Sequence, residues 1–179
     1  MDGDRPRRVW WLERANPRNA DPNVTVQSGF EDIDAEDGQI VALVGMEYCV
    51  VVAQKAIWRM TYDGGDVGYR FDKMVRGKGA ICGGSVVSFG RQVWYWDEDG
   101  PYVFDGTQTQ PIGSGKIAQT AVSRLNQAAR EWISAAVIPK QTIVLWAIPT
   151  AGDMLDTIYA YNWTTGRWTV IHRTMEMLT

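Results

Sequence analysis

Histidine is almost missing from this sequence: His172, in TVIHRT, is the only one in 179 residues. A two-histidine metal centre is therefore excluded, and no second imidazole can serve a relay of general bases. No His-Glu-x-x-His and no Gly-x-Ser-x-Gly elbow occurs. The chain reads as a non-enzyme with no cofactor and no metal ligand set. Cysteine is scarce too. Cys49 in EYCVVVA and Cys82 in AICGGSV sit in strand-like apolar context, far from any Cys-x-x-Cys spacing, and read as buried free thiols. No apolar run approaches the roughly 18 residues of a membrane span. Met1 to Trp11 lacks the apolar core of a secretory leader, so none is expected. Basic residues are outnumbered, 18 Lys and Arg against 21 Asp and Glu, for a net charge of -3. That excludes a general nucleic-acid-binding surface. A passage through which DNA only slides is compatible with it, because weak attraction helps there.

Several short stretches mimic known sites and fail on their spacing. Gly113-Ser-Gly115-Lys-Ile-Ala118 matches Gly-x-Gly-x-x-Ala, but Pro111 precedes it and no acidic residue follows about 20 positions on. It reads as a turn and helix cap. Gly77-Lys78 and Gly115-Lys116 lack the glycine that a phosphate loop places five positions earlier. Asp32, Asp34 and Glu36 imitate the start of a calcium loop, yet Asp37 stands at its glycine position and Leu43 at its bidentate glutamate position. This run reads as a solvated acidic face, with a loose divalent-cation contact as the sharper alternative. Asn23-Val-Thr25 and Asn162-Trp-Thr164 are formal sequons that carry no weight without a leader.

Aromatic residues and glycine are abundant: nine Trp and 18 Gly, in a chain 45% hydrophobic and 22% charged. The length suits one domain with a core of its own. Residues 1–38, broken by Pro6, Pro17 and Pro22 and ending in EDIDAEDG, read as an extended arm with one short strand near Val9 to Leu12. Residues 39–179 read as a run of short strands: GQIVALVG, then EYCVVVAQKAIWRMTY folded near Gln54-Lys55, then GSVVSFG, RQVWYW, PYVFDG, ISAAVIP, TIVLWAIP, DTIYAYNW and GRWTVIH. Ile117, Ala121, Leu125, Ala128 and Trp132 recur at helical spacing and predict one inserted helix from Lys116 to Trp132.

The hairpins repeat a plan. Trp94-x-Trp96 leads through an acidic turn ending in Gly100 to Tyr102; Tyr159-x-Tyr161 leads through Gly166 to Trp168; Trp58-x-Met60 leads through the Asp63-to-Gly68 turn to Tyr69. Alternation places the rings on one strand face, and cross-strand aromatic pairs stabilise by about 0.2–1 kcal/mol. Trp58 and Trp94 lie about 35 residues apart, within the range of structural repeats. The fold class is all-β: β-propeller-like blades of short antiparallel strands with one inserted helix, a β-sandwich being the alternative. The rings are mainly packing on this reading. If they face solvent, Trp94, Trp96 and Tyr102 can stack on a sugar or partner while Asp97 and Asp99 accept hydroxyl hydrogen bonds. These five are the candidate contact set.

The order VWWLERANPRNAD, GQIVALVGMEYCVVVAQKAIWRM, SVVSFGRQVWYWDEDGPYVFDGTQTQPIG and IYAYNWTTGRWTVIH resembles the propeller-containing tail proteins of tailed bacteriophages, especially the nozzle proteins of short-tailed phages. The resemblance spans most of Val9 to His172. It implies a structural virion protein of the tail, made in the host cytoplasm. It also implies a homo-oligomeric ring around the DNA channel near the head-to-tail junction, with other tail or adaptor proteins as neighbours. Family members are generally longer, and three blades fall short of the usual four to eight. A fragment, a small variant, or strand edges covered by neighbours is therefore expected. Arg5, Arg7 and Arg8 on the arm, set against acidic turns at Glu31 to Asp37 and Asp97 to Asp99, suit docking onto an adjacent subunit. The alternative function is a carbohydrate-binding, lectin-like or receptor-binding module.

Overall fold

The computed structural model describes residues 5–13, 16–19, 21–64 and 68–178, so Gly65 to Val67 of the expected Asp63-to-Gly68 turn lie outside the described residues. The chain is all-β, and it divides into two compact units between Lys78 and Gly79.

In the first unit a two-stranded ribbon, β1 (Arg8–Trp11) and β2 (Gly29–Asp32), accompanies a four-stranded antiparallel meander. The meander runs β3 (Ile40–Gly45), β4 (Cys49–Ala53), β5 (Ala56–Tyr62) and β6 (Tyr69–Arg76), each paired with the next in sequence. Valine and isoleucine crowd β3 and β4, whose stiff branched side chains suit a pleated surface. Gln54-Lys55 turns the chain between β4 and β5 as the sequence predicts. Strand β6 is less legible, because in YRFDKMVR the apolar–charged alternation breaks at Asp72-Lys73 and β-branched residues are scarce. The residues read as an arm are pinned to this unit: Val9, Trp11 and Ile33 are buried in one cluster with Val51, Ala53 and Met60. Burying side chains of this size stabilises by about 1.5–3 kcal/mol each.

The second unit holds two further meanders. One runs β7 (Val87–Phe89), β8 (Gln92–Asp97), β9 (Gly100–Phe104) and β10 (Thr109–Pro111). The other runs β11 (Ser134–Ile138), β12 (Ile143–Ile148), β13 (Leu155–Asn162) and β14 (Arg167–Met175). Their shared core is aromatic. Trp94 and Trp96 of β8 are 1% and 0% exposed and pack with Trp146 of β12 and Tyr159 of β13. Trp96 meets Trp146 edge-on at 5.9 Å, a favoured quadrupole arrangement. Trp146 Nε1 donates to the Ser85 carbonyl at 3.0 Å, so the indole satisfies its donor as it is buried. Tyr161 and Trp168 face each other across β13 and β14 with centroids 4.7 Å apart, the pairing expected for that hairpin. In the Trp94-x-Trp96 hairpin the partner differs: Tyr102 stands opposite Tyr95, on the other face of the sheet from the two tryptophans.

The predicted helix is split. α1 covers only Ala118–Arg124; Leu125 is extended, and a 3-10 segment follows at Gln127–Trp132. Asn126 causes the break. Its backbone N–H donates to the Pro149 carbonyl at 2.9 Å, its Nδ2 donates to the Gly152 carbonyl at 2.8 Å, and its Oδ1 accepts from Ala128 N at 3.1 Å. Asparagine competes with the helix for backbone groups and starts a new capped turn instead. Ala121 and Leu125 remain buried, whereas Trp132 at the end of the expected stripe is exposed.

Candidate functional site

The five residues proposed as a contact set separate by burial. Trp94, Trp96 and Asp97 are inside. Solvent-facing rings were the condition for stacking on a sugar, and these two tryptophans do not meet it: with side chains of alternating direction, β8 turns both into the packed face shared with β12 and β13. Asp97 is a structural anchor, accepting from Gly79 N through Oδ2 and from Asp99 N through Oδ1, each at 3.1 Å. Asp99 is exposed and Tyr102 half-buried, and these two share a groove.

That groove encloses about 600 Å³ between the β8–β9 hairpin and α1; Asp99, Pro101, Tyr102, Pro111, Ala118 and Val122 form most of its wall. Two glycines allow α1 to approach so closely. Gly100 has φ 115°, and a Cβ there would lie 3.2 Å from that of Ala118. A Cβ on Gly113 would lie 3.0 Å from Pro101 Cγ. The turn before α1 folds on itself, with Lys116, Ile117 and Ala118 all donating backbone N–H groups to the Gly113 carbonyl. The Gly-x-Gly-x-x-Ala look-alike is thus a turn, as its context suggested. Tyr102 is held by stacking on Tyr95 with centroids 5.9 Å apart and planes 17° apart. Asp99 is the one charged residue among the described lining residues, so the groove offers a mostly apolar trough with a single carboxylate and the polar side chains of Ser114, Gln119 and Ser123. Pro101, Pro111, Ala118 and Val122 escape a sequence reading, because only the turn after Pro111 brings the helix back over the hairpin.

Of the basic residues on the expected arm, Arg8 is engaged inside its own unit. Its Nε donates to Asp32 Oδ1 at 2.6 Å, and its guanidinium lies 3.7 Å from the Phe30 ring centroid. Hydrogen bonding to Arg8 holds the Asp32 carboxyl below the usual value. Arg5 and Arg7 are exposed, though their backbone is tied down: the carbonyls of Arg5 and Arg7 accept from Arg8 N and Ile33 N.

The acidic run near residue 34 converges on a lysine. Lys73 Nζ lies 2.6 Å from Asp34, 2.9 Å from Asp37 and 3.3 Å from Glu36. Trp58 Nε1 donates to the second oxygen of Asp37 at 2.9 Å. Burial pulls the Lys73 ammonium down, but hydrogen bonds to Asp34, Asp37 and Glu36 outweigh it, so its pKa sits above the ordinary value. An ammonium occupies the point where these carboxylates would have gathered round a cation. Among the described residues no group of three or more His, Cys, Asp or Glu could hold a metal ion.

His172 sits on β14 with Nδ1 3.3 Å from Thr157 Oγ1. Cys49 is half-buried and Cys82 buried; both thiols are free, and burial pushes both pKa values up. Asn23 and Asn162 of the formal sequons cap their own turns, accepting from Thr25 N, and from Thr164 N and Thr165 N. Among the described residues no helix is long and apolar enough to cross a membrane. Comparison with protein-family models finds no match, and neither does a search of curated proteins.

Proposed function

We propose that the chain is a structural protein of a bacteriophage tail that assembles with further copies into a ring around the DNA channel. The observation that carries this reading is β14. It is nine residues long, it pairs with β13 on one side, and it ends its sheet. Val170 and Ile171, on opposite faces of it, are 40% and 44% exposed. An uncovered strand edge of this length is a template for pairing with another chain, although Arg167 and Arg173 on it temper that tendency. Three meanders built of consecutive strands are blade-like and fewer than a closed propeller needs, and the resemblance in hairpin order points the same way. The net charge of -3 suits a channel that lets DNA pass without holding it. Light scattering and electron microscopy test the reading. The 179-residue chain is expected to give closed rings, and Val170→Lys, which adds a third cation to the edge beside Arg167 and Arg173, to give smaller species. A monomer at high concentration for both proteins would refute it.

The groove favours a second reading, a carbohydrate-binding module, because it places Tyr102 and Asp99 together. Its signature would be a reproducible hit on a glycan array that Tyr102→Ala abolishes.

A further inference from the structure

Among the described residues the sheets end in strands of unequal length and charge, and β14 is the longest of them. We infer, building on the assembly proposed above, that β14 of one copy adds to the open edge of β3 in the next copy. Successive copies then join head to tail through one continuous sheet.

Charge sets β14 against its own copy. Arg167, Thr169, Ile171 and Arg173 share one face of the strand by its period of two, and all four are exposed. An antiparallel register that pairs the whole strand sets Ile171 against Ile171. It leaves each Arg167 on the diagonal beside Arg173 of the other copy, about 7–8 Å away. Centring the pair on Val170 sets the arginines directly opposite, and a parallel in-register pair sets each against its own counterpart. Like charges so placed destabilise a ladder. The β14 edge therefore calls for a different strand, one without cations.

Length and charge leave one such strand. β1 and β2 have four residues each, and β7 and β10 three, the last ending in Pro111, which has no N–H to donate. β6 is long enough but carries Arg70 and Arg76, both exposed. None of the five residues of β11 is exposed, and Ser134 Oγ at its start accepts from Leu178 N at 3.2 Å. β3 is six residues long, apolar and uncharged.

The edge of β3 is also open. It pairs with β4 on one side and ends its sheet on the other. Ile40 N donates to the Pro6 carbonyl at 2.9 Å, but residues 41–45 make no further backbone hydrogen bond outside the sheet among the described residues. Leu43 in the middle is 52% exposed. Exposed carboxylates flank the strand, Glu36 before it and Glu47 after it, opposite in sign to the two arginines that flank Ile171. Backbone pairing supplies the affinity, and the flanking charges favour this partner over a second β14. Two different surfaces meet, so the contact is heterologous, the kind that closes into rings.

Sedimentation velocity tests the pairing with two variants at exposed positions, Leu43→Lys on β3 and Val170→Lys on β14. Their urea midpoints are expected to match that of the unaltered chain. Each alone is expected to stay monomeric, because each has lost one of the two edges. Mixed in equal amounts they are expected to give a dimer and nothing larger, the intact β14 of Leu43→Lys meeting the intact β3 of Val170→Lys. Leu43→Glu, opposite in sign, is expected to assemble better than Leu43→Lys. In the unaltered chain, amide hydrogen exchange is expected to slow on assembly in residues 41–45 and in Arg167–Met175 together. Where the unaltered chain forms rings, three results would overturn this pairing and leave the ring standing: rings that persist in Leu43→Lys, a mixture that stays monomeric, or protection confined to β14. An unaltered chain that never assembles would overturn both.

Discussion

Replacing Lys73 with methionine keeps most of the side-chain volume and removes the ammonium from among three carboxylates, so it separates the contributions of those carboxylates. Lys73 and Asp37 each have side chains only 5% exposed, whereas Asp34 and Glu36 are 56% and 73% exposed. Removing one partner of a buried pair leaves an uncompensated charge and costs about 3–5 kcal/mol. Exposed pairs are worth about 0–1 kcal/mol. Lys73→Met is therefore expected to lose about 3–5 kcal/mol, nearly all of it through Asp37, while Asp34→Asn and Glu36→Gln lose under about 1 kcal/mol each. With a urea m-value of about 2 kcal/mol/M, the Lys73→Met midpoint should fall by about 1.5–2.5 M. Adding Asp37→Asn to Lys73→Met should recover part of the loss, because the stranded charge goes while Trp58 keeps an acceptor. A loss below about 1 kcal/mol in Lys73→Met, or a loss in the single variant Asp37→Asn no larger than in Asp34→Asn and Glu36→Gln, would refute the reasoning.

Other consequences can be measured alongside. Trp96→Ala should destabilise by about 3–5 kcal/mol, as expected for a buried ring and not for a contact residue, whereas Tyr102→Ala should cost distinctly less in the same denaturant titration. Asn126→Ala removes a cap and the bond to the Gly152 carbonyl, and about 1–2 kcal/mol should be lost by urea unfolding. Asp32 and Asp72 both titrate below 3.8, Asp32 through Arg8 and Asp72 through Arg59 and then Arg70. Their depressed folded-state values give stability that is present above pH 3.8 and lost as pH falls through those values. The urea midpoint should therefore drop below about pH 4, and less steeply in Arg8→Met.

The strands legible from sequence were those whose signal is local. CVVVA and AIWRMTY carry branched and aromatic residues in short runs with turns between them, and both became strands where the pattern placed them. Gly29–Asp32 has no such signal; it is a strand because Arg8–Trp11 pairs with it, a partner some 20 residues away. The 116–132 helix shows a local pattern losing to a tertiary one, since Asn126 has better partners at Pro149 and Gly152 than in the next helical turn. The aromatic hairpins were legible as hairpins but not in their facing. Period two says that Trp94 and Trp96 share a side, and only the second sheet decides that this side is the inside. Hence Trp94 and Trp96 belong to the core, while Asp99 and Tyr102 keep access to a groove that exists only once α1 has folded back.

Each four-stranded sheet is assembled from strands consecutive in the chain, joined by links as short as Gln54-Lys55 or Gly90-Arg91. Closing such short loops costs little chain entropy, and contacts of this kind favour rapid folding. During synthesis a sheet can complete its hydrogen bonds as soon as its own 25 to 45 or so residues have left the ribosome, without waiting for distant sequence. The same independence acts over evolutionary time. Duplicating one meander leaves the ladders of the others intact, whereas deleting either meander of the second unit would strip the core that Trp94, Trp96, Trp146 and Tyr159 share, so such an architecture gains sheets more readily than it loses them.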